Sequence, residues 1–144
     1  MFKKLLVPIS SDGLTKLQVK KIEQFLGDGF GKLILAFISD PLPPYIYAEY
    51  GDVLAISDAD HKKACKSFAD KLFSKAGLKF SGVPYETCHL YDVNVAEGII
   101  RAATKTKADL IVMSSHRRAG LAGVFLGSDT HRVIVGCKLP VLVV

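Results

Sequence analysis

The residues of this sequence best suited to chemistry lie in loops that follow short apolar segments. Gly127 and Ser128 stand at the start of a predicted helix, where glycine lets the backbone approach a ligand and the serine hydroxyl can donate to an anion. Free amide groups and the helix dipole favour negative charge at the same place. The pair also fits an ordinary helix N-cap, because serine is a preferred capping residue. The basic triplet His116-Arg117-Arg118 is a second candidate for anion binding.

Apolar runs ended by turn residues predict the strands that position these loops. Pro84 in the third predicted strand indicates an edge position, because proline cannot donate to a sheet ladder. The predicted strands are residues 3–9, 32–38, 83–90, 109–113 and 141–144.

Apolar residues at helical spacing predict a helix between each pair of consecutive strands, and a long loop also separates the second and third strands. Ser57 with Asp60, and Asn94 with Glu97, are spaced like capping boxes. Gly77 and Gly136 are expected to end helices. The predicted inward stripes are Leu14, Leu17, Ile22, Phe25 and Leu26 in the first helix, Ala64, Phe68, Leu72 and Ala76 in the second, and Ile99, Ile100 and Ala103 in the third, with a last helix from Ser128 to about Val135.

This alternation predicts one α/β domain over residues 1–144, with a parallel sheet covered by helices on both faces and right-handed crossovers. Ligands of such sheets bind outside the carboxyl ends of the strands, where the winding reverses. The qualifying loops are 10–13, 39–56, 91–94 and 114–127. Loop 39–56 carries three tyrosines and three prolines, and we expect it to pack against the body or a partner.

Composition narrows the class of protein. The net charge of +5 is spread over helical segments, which argues against nucleic acid as a partner. No apolar run approaches the roughly 18 residues of a membrane span. The apolar run after Lys3-Lys4 is short and holds Pro8, so we expect a strand there and a cytoplasmic protein. The three cysteines lack disulfide or zinc spacing, and we expect buried, reduced thiols.

Several segments together resemble the universal stress protein family. Residues 4–9 (KLLVPI) match the first strand of that family. Its C-terminal half is matched by residues 108–116 (ADLIVMSSH), Gly120-Leu121, Leu126-Gly127-Ser128 and residues 139–144 (LPVLVV). The resemblance follows the element order over the whole chain and is specific over about the last forty residues.

The resemblance implies an open five-stranded parallel sheet in the order 3-2-1-4-5, of the Rossmann-like, adenine nucleotide alpha hydrolase-like type. It also implies a homodimer and a role in stress survival without a defined reaction. Some members bind ATP or AMP with the motif Gly-x2-Gly-x9-Gly-Ser/Thr, and others lack it and bind none. Here Gly127 and Ser128 match the end of the motif, while Ser114 and Arg117 replace its first two glycines. Ser10 stands where nucleotide-binding members carry an aspartate, and Asp12 comes two positions later.

These replacements predict weak or absent ATP binding. A non-glycine residue in the left-handed backbone region costs on the order of 1–2 kcal/mol, and the bulk of Arg117 can fill the phosphate site. Loss of the aspartate removes a charged hydrogen bond worth roughly 1.5–3 kcal/mol. Each 1.4 kcal/mol is a factor of about ten in affinity.

Other functions remain open. Arg117 could grip a phosphate with its side chain, which would make the protein a nucleotide or anion binder with a modified loop that also uses Ser128. An ATP-hydrolysing enzyme is a further alternative, but none of His89, His116 and His131 has an identifiable carboxylate partner in the sequence. A phosphorelay receiver or a flavin-binding protein would need acidic or phosphate-binding residues after the first strand that Ser10-Ser11-Asp12-Gly13 does not supply.

The last strand predicts a partner. Val141–Val144 is apolar with no polar guard, and an exposed edge of that kind tends to pair with another chain. A two-fold partner would satisfy both edges, so we expect a homodimer through this strand.

Overall fold

The computed structural model describes residues 2–26, 31–41, 57–115 and 127–144. Within these ranges the chain forms five strands and four helices in alternating order. The strands are β1 (Lys4–Pro8), β2 (Lys32–Ser39), β3 (Tyr85–Tyr91), β4 (Leu110–Met113) and β5 (Val141–Val143). The helices are α1 (Lys16–Leu26), α2 (Asp58–Gly77), α3 (Val95–Thr106) and α4 (Ser128–Gly136).

The five strands form one parallel sheet in the order β3-β2-β1-β4-β5, as predicted. The registers pair Leu6 with Ile34 of β2 and with Ile111 of β4. The chain winds outward from β1 in one direction through β2 and β3, and in the other through β4 and β5. The winding therefore reverses between β1 and β4, and the carboxyl ends of these two strands mark the switch point. The strand with Pro84 before it, β3, lies at one edge, as the proline indicated.

Alternation along the central strands divides the core into two layers. Leu5 and Val7 of β1 face one side, where α1 and α2 pack, and Leu6 faces the other, where α3 and α4 pack. These three β1 side chains have no solvent exposure. Because both faces are covered, the central strands are apolar throughout, as expected of a parallel sheet.

Two predicted helix starts are confirmed in atomic detail. The Ser57 hydroxyl accepts a hydrogen bond of 3.0 Å from the amide of Asp60, and the side-chain oxygen of Asn94 accepts one of 3.2 Å from the amide of Glu97. Each bond satisfies an amide that the helix itself leaves without a partner. Asn94 thereby fixes the start of α3 beside the carboxyl end of β3.

In α1 and α2, some of the residues predicted to be buried are exposed. Leu17 and Phe25 of α1 are 64% and 50% exposed, and the buried face runs instead through Val19, Ile22 and Leu26. With 3.6 residues per turn, Leu17 lies more than half a turn from Val19.

In α2, Leu72 and Ala76 are buried as predicted, but Ala64 is exposed and Phe68 is 49% exposed. The buried residues of α2 begin at Ala69, so its first three turns lie outside the core. The Phe68 ring contacts Phe37 at 5.6 Å between centroids, which explains an aromatic residue at a half-exposed position. In α3, Ile99 and Ala103 are buried as predicted and Ile100 is half-buried.

The three thiols differ in burial. Cys88 is buried, whereas Cys65 and Cys137 are half-buried, so the expectation of buried cysteines is wrong for two of them. Burial raises the pKa of the Cys88 thiol, and the nearby cations Lys105 and Arg101 oppose that rise. All three are free of disulfide bonds. In the ranges that the structure describes, no helix is both long and apolar enough to cross a bilayer.

Candidate functional site

Four of the five predicted site residues lie around one cavity. Ser10 follows β1, Ser114 follows β4, and Gly127 and Ser128 begin α4. All four line a cavity of about 260 Å³ at the switch point between β1 and β4. The fifth, Arg117, lies outside the described residues, as do its neighbours His116 and Arg118 and most of the tyrosine-rich loop.

The cavity has an apolar side and a hydroxyl-bearing side. Its walls come from the ends of β1 and β4 and from the first turn of α3, and its polar rim comes from α4. The apolar lining residues are Pro8, Ile9, Val95, Ile99 and Met113, and the polar ones beyond those predicted are Asp129 and Thr130.

Ser114 lines this cavity and also carries an unsatisfied polar atom. Its hydroxyl oxygen is buried and has no hydrogen-bond partner among the described residues. Burying a hydroxyl without a hydrogen-bond partner destabilises the folded protein by roughly 1–3 kcal/mol. A hydrogen bond from a ligand or a water molecule would recover part of this energy.

The predicted backbone strain at Ser114 is wrong. Among the non-glycine residues that the structure describes, only Lys107 has a positive φ. Serine in place of the first motif glycine therefore carries no left-handed penalty here. The part of the predicted affinity loss assigned to backbone strain does not apply to this residue.

The next residue, Ser115, has a structural role. Its hydroxyl and its amide both donate to the carbonyl oxygen of Val144, each at 2.7 Å. The side-chain amide of Gln18 donates to the Ser115 carbonyl at 3.2 Å. These contacts tie the chain end and α1 to the end of β4, which holds the adjacent Ser114 in place.

The start of α4 differs from the predicted cap. Gly127 is the N-cap residue and provides no side-chain hydrogen bond, while Ser128 is the first helical residue and is exposed. The N-cap function suggested for Ser128 is therefore wrong. Gly127 has a φ of −63° and a ψ of 161°, and a Cβ added there would meet no atom of the described residues within 4 Å. The backbone conformation therefore does not require glycine at this position.

Asp12 lies away from this cavity. The turn after β1 closes with a hydrogen bond of 2.9 Å from the amide of Gly13 to the Ser10 carbonyl, and Gly13 has a φ of +75°, which favours glycine. Asp12 lines a different, smaller cavity of about 90 Å³ against α2. Ser10 is thus the residue of this turn that the structure places beside Ser114.

Sequence reasoning missed Asp129 and Thr130. Both follow Gly127-Ser128 directly in the first turn of α4, and Thr130 is only 4% exposed. The sequence did contain a signal for Asp129, namely an acidic residue in the first turn of a predicted helix. Such a residue interacts with the same free amide groups that would bind an anionic ligand.

A second polar cluster lies on the other face of the sheet. The Ser39 hydroxyl and Nε2 of His89 are 2.7 Å apart, and the His89 ring contacts Phe37 and Tyr91 at 6.0 and 4.8 Å between centroids. Burial lowers the pKa of His89, while Asp70 opposes this shift. The cluster joins β2 to β3 and lies at a distance along the sheet from the switch point.

The fold and the cavity define an open, doubly wound α/β domain of the adenine nucleotide alpha hydrolase-like type. The model of the universal stress protein family matches residues 1–144. A universal stress protein of Thermus aquaticus, from the region 3′ of a QAH/OAS sulfhydrylase, is 30% identical over 113 residues, which cover 78% of this chain and 77% of that protein. The chain therefore belongs to the universal stress protein family.

Two solved structures have the same fold. A universal stress protein in complex with cAMP has a TM-score of 0.59 and 20% identity, covering 99% of this chain and 96% of that one. The universal stress protein of Archaeoglobus fulgidus in complex with dAMP has a TM-score of 0.60 and 15% identity, covering 98% and 96%. At these identities the likeness establishes the fold, and the bound nucleotides belong to those proteins.

Proposed function

We propose that this chain is a non-catalytic stress-response protein that binds adenine nucleotides weakly or not at all through the switch-point cavity. The observation that carries the proposal is the neutral hydroxyl of Ser10 on the cavity, at the position that the family resemblance assigns to an aspartate. The cavity supplies space for a ligand, and the residue at the position of the family's aspartate is neutral.

The cavity itself supports a ligand. It combines apolar walls with hydroxyl groups at the carboxyl ends of β1 and β4, which is where open α/β sheets bind small molecules. The buried Ser114 hydroxyl has no partner among the described residues, and a ligand could supply one. The nucleotides in the two solved relatives, cAMP and dAMP, suggest an adenine nucleotide as the class to test.

The expected weakness comes from Ser10. A hydrogen bond to a carboxylate contributes roughly 1.5–3 kcal/mol, against about 0.5–1.5 kcal/mol for a neutral pair. A difference of 1.4 kcal/mol corresponds to about tenfold in affinity. Because Ser114 has no backbone strain, this contact and the bulk of Arg117 remain as the reasons for weak binding.

The absence of catalysis is part of the proposal. The described lining of the cavity offers hydroxyl groups and the single carboxylate of Asp129, with no histidine, cysteine or paired carboxylates. Nucleophilic or acid–base catalysis needs a nucleophile beside a base, or an acid and a base held apart at matched pKa values. The described lining residues do not supply either arrangement.

Titration calorimetry with ATP and AMP tests the proposal. We expect the native protein to give little or no heat, and Ser10→Asp to raise nucleotide affinity by about tenfold. Ser11→Asp is the matched control, since it adds the same charge one residue later, on the smaller cavity beside α2. A double variant, Ser114→Gly with Arg117→Gly, tests the remaining motif positions.

Micromolar binding of ATP by the native protein would contradict weak binding and make Arg117 the first phosphate ligand to examine. Release of ADP or AMP from ATP at more than one turnover per chain, measured by chromatography, would contradict the non-catalytic assignment.

A further inference from the structure

The start of α4 carries its own negative charge at the cavity. Asp129 is the second residue of the helix and lines the cavity together with Ser114 and Gly127. Because Gly127 contributes no side-chain cap, the amide groups of the first turn have no capping acceptor from that residue. A carboxylate in the first turn occupies the electrostatically favourable region that a phosphate would otherwise use.

We propose that Asp129 is a specificity-determining residue that directs the switch-point cavity toward an uncharged nucleoside and against its phosphorylated forms. This inference rests on the proposed function, since it concerns the same cavity. It adds the class of ligand: a neutral molecule with a flat apolar part and several hydroxyl groups.

Charge supports this selection. A phosphate placed at the N-terminus of α4 would lie beside the Asp129 carboxylate, and like charges this close repel each other. This repulsion offsets the attraction between the helix dipole and the phosphate, so the N-terminus of α4 binds an anion less favourably. A nucleoside carries no charge and is insensitive to this repulsion.

Size and polarity support it as well. The cavity volume of about 260 Å³ is near the lower end of the roughly 300–1,000 Å³ typical of small-molecule sites, which a nucleoside fits. The apolar walls around Ile9, Ile99 and Met113 suit the face of a base. The lining residues Ser10 and Ser128 suit the hydroxyl groups of a ribose, because a hydroxyl group both donates and accepts hydrogen bonds.

The test is calorimetric titration of the full chain with adenosine, AMP and ATP. We expect the native protein to bind adenosine more tightly than AMP, and AMP more tightly than ATP. Asp129→Asn should raise AMP affinity about fivefold and leave adenosine affinity within about twofold. Asp60→Asn is the matched control: it removes a first-turn acid from α2, which packs on the opposite face of the sheet, and should change neither affinity.

Two further measurements keep the test decisive. Asp129→Ser gives a second neutral variant if the asparagine variant does not fold, as judged by circular dichroism. AMP affinity should fall more steeply with added salt in Asp129→Asn than in the native protein, because in the native protein salt also screens the repulsion by Asp129, whereas adenosine affinity should stay constant in both proteins.

The outcomes separate this inference from the proposed function. If native ATP binding is weak but Asp129→Asn leaves the ratio of AMP to adenosine affinity unchanged, the selection by Asp129 is wrong and the proposed function stands. The same conclusion follows if the native protein binds no adenosine. If the native protein binds ATP at micromolar concentration and more tightly than adenosine, both are wrong.

Discussion

Ser10, Ser114 and Gly127 come from three separate turns of the chain and meet at one cavity. The three differ in character. Ser10 is a neutral residue at the position where the family resemblance implies an aspartate, Ser114 carries a buried hydroxyl without a described partner, and a Cβ on Gly127 would contact none of the described residues. None of the three is held in a strained backbone conformation.

A second residue-scale feature predicts how stability depends on pH. Burial lowers the pKa of His89 from its ordinary value of 6.5, so the unfolded chain binds a proton before the folded chain does. The stabilising effect of keeping His89 neutral is thus present above about pH 6.5 and is lost as the pH falls through the lower folded pKa. We expect the free energy of unfolding, measured by denaturant titration, to fall between pH 7 and pH 5.

His89→Gln should reduce the dependence of the free energy of unfolding on pH, because glutamine does not titrate. His131→Gln, at an exposed position on α4, serves as the control and should keep the native slope. An unchanged slope in His89→Gln would show that the acid sensitivity arises from other groups.

At the scale of secondary-structure elements, the alignment of β1 with β4 depends on a side chain just outside the strand. The sequence predicted Asp109 as the first residue of the fourth strand, but β4 begins at Leu110. The two carboxylate oxygens of Asp109 accept hydrogen bonds from the amides of Lys3 and Lys4 at 2.8 and 2.9 Å. Since the switch point lies between β1 and β4, this contact helps to set the geometry of the cavity at the other end of the two strands.

Removal of this contact should destabilise the domain. We expect Asp109→Ala to lower the free energy of unfolding by about 1–3 kcal/mol, because two backbone amides lose a charged acceptor. Chemical denaturation monitored by circular dichroism measures the change. Asp70→Ala is the matched control, since Asp70 pairs with Lys66 on an exposed helix surface, where an ion pair contributes about 0–1 kcal/mol. Equal losses in the two variants would contradict a special role for Asp109.

At the scale of the whole molecule, the sheet has two unlike edges. The β3 edge carries polar residues, including Glu86 in an ion pair with Lys32 at 3.3 Å. The β5 edge consists of half-buried Val141, Leu142 and Val143. An apolar edge invites pairing with another chain, whereas a charged edge opposes it. We propose that β5 forms the interface of a two-fold dimer.

Sedimentation velocity tests this dimer. We expect a species of twice the 15.6 kDa chain mass at micromolar concentration. The amide of Val144 donates to Met113 of β4 and the carbonyl of Pro140 accepts from Ile111, so by alternation the amide of Val143 faces the open edge. Val143→Pro should therefore shift the protein toward monomer. A native monomer at 100 µM, or an unchanged dimer in the variant, would contradict pairing through this edge.

Local and repeating features of the sequence were enough to predict most of the fold. The predicted bounds of all five strands were correct to within two residues, and apolar runs marked the central ones because parallel strands covered on both faces are mostly apolar. Asn94 and Ser57 marked two helix starts, because a cap is a contact between neighbours in the chain. The burial of Leu17 and Phe68 was wrongly predicted, because apolar spacing does not show which face of a helix meets the sheet.

The sequence by itself determined the family, the alternation of strands and helices, and the candidate residues Ser10, Ser114 and Gly127. Only the tertiary structure decided that these residues share a cavity, that Asp129 and Thr130 belong to it, and that Ser114 is unstrained. It also decided that Asp109 joins β4 to β1 across more than a hundred residues of sequence. The physical reason is range: strand pattern and capping act between neighbours in the chain, whereas a cavity is built from residues that only the folded sheet brings together.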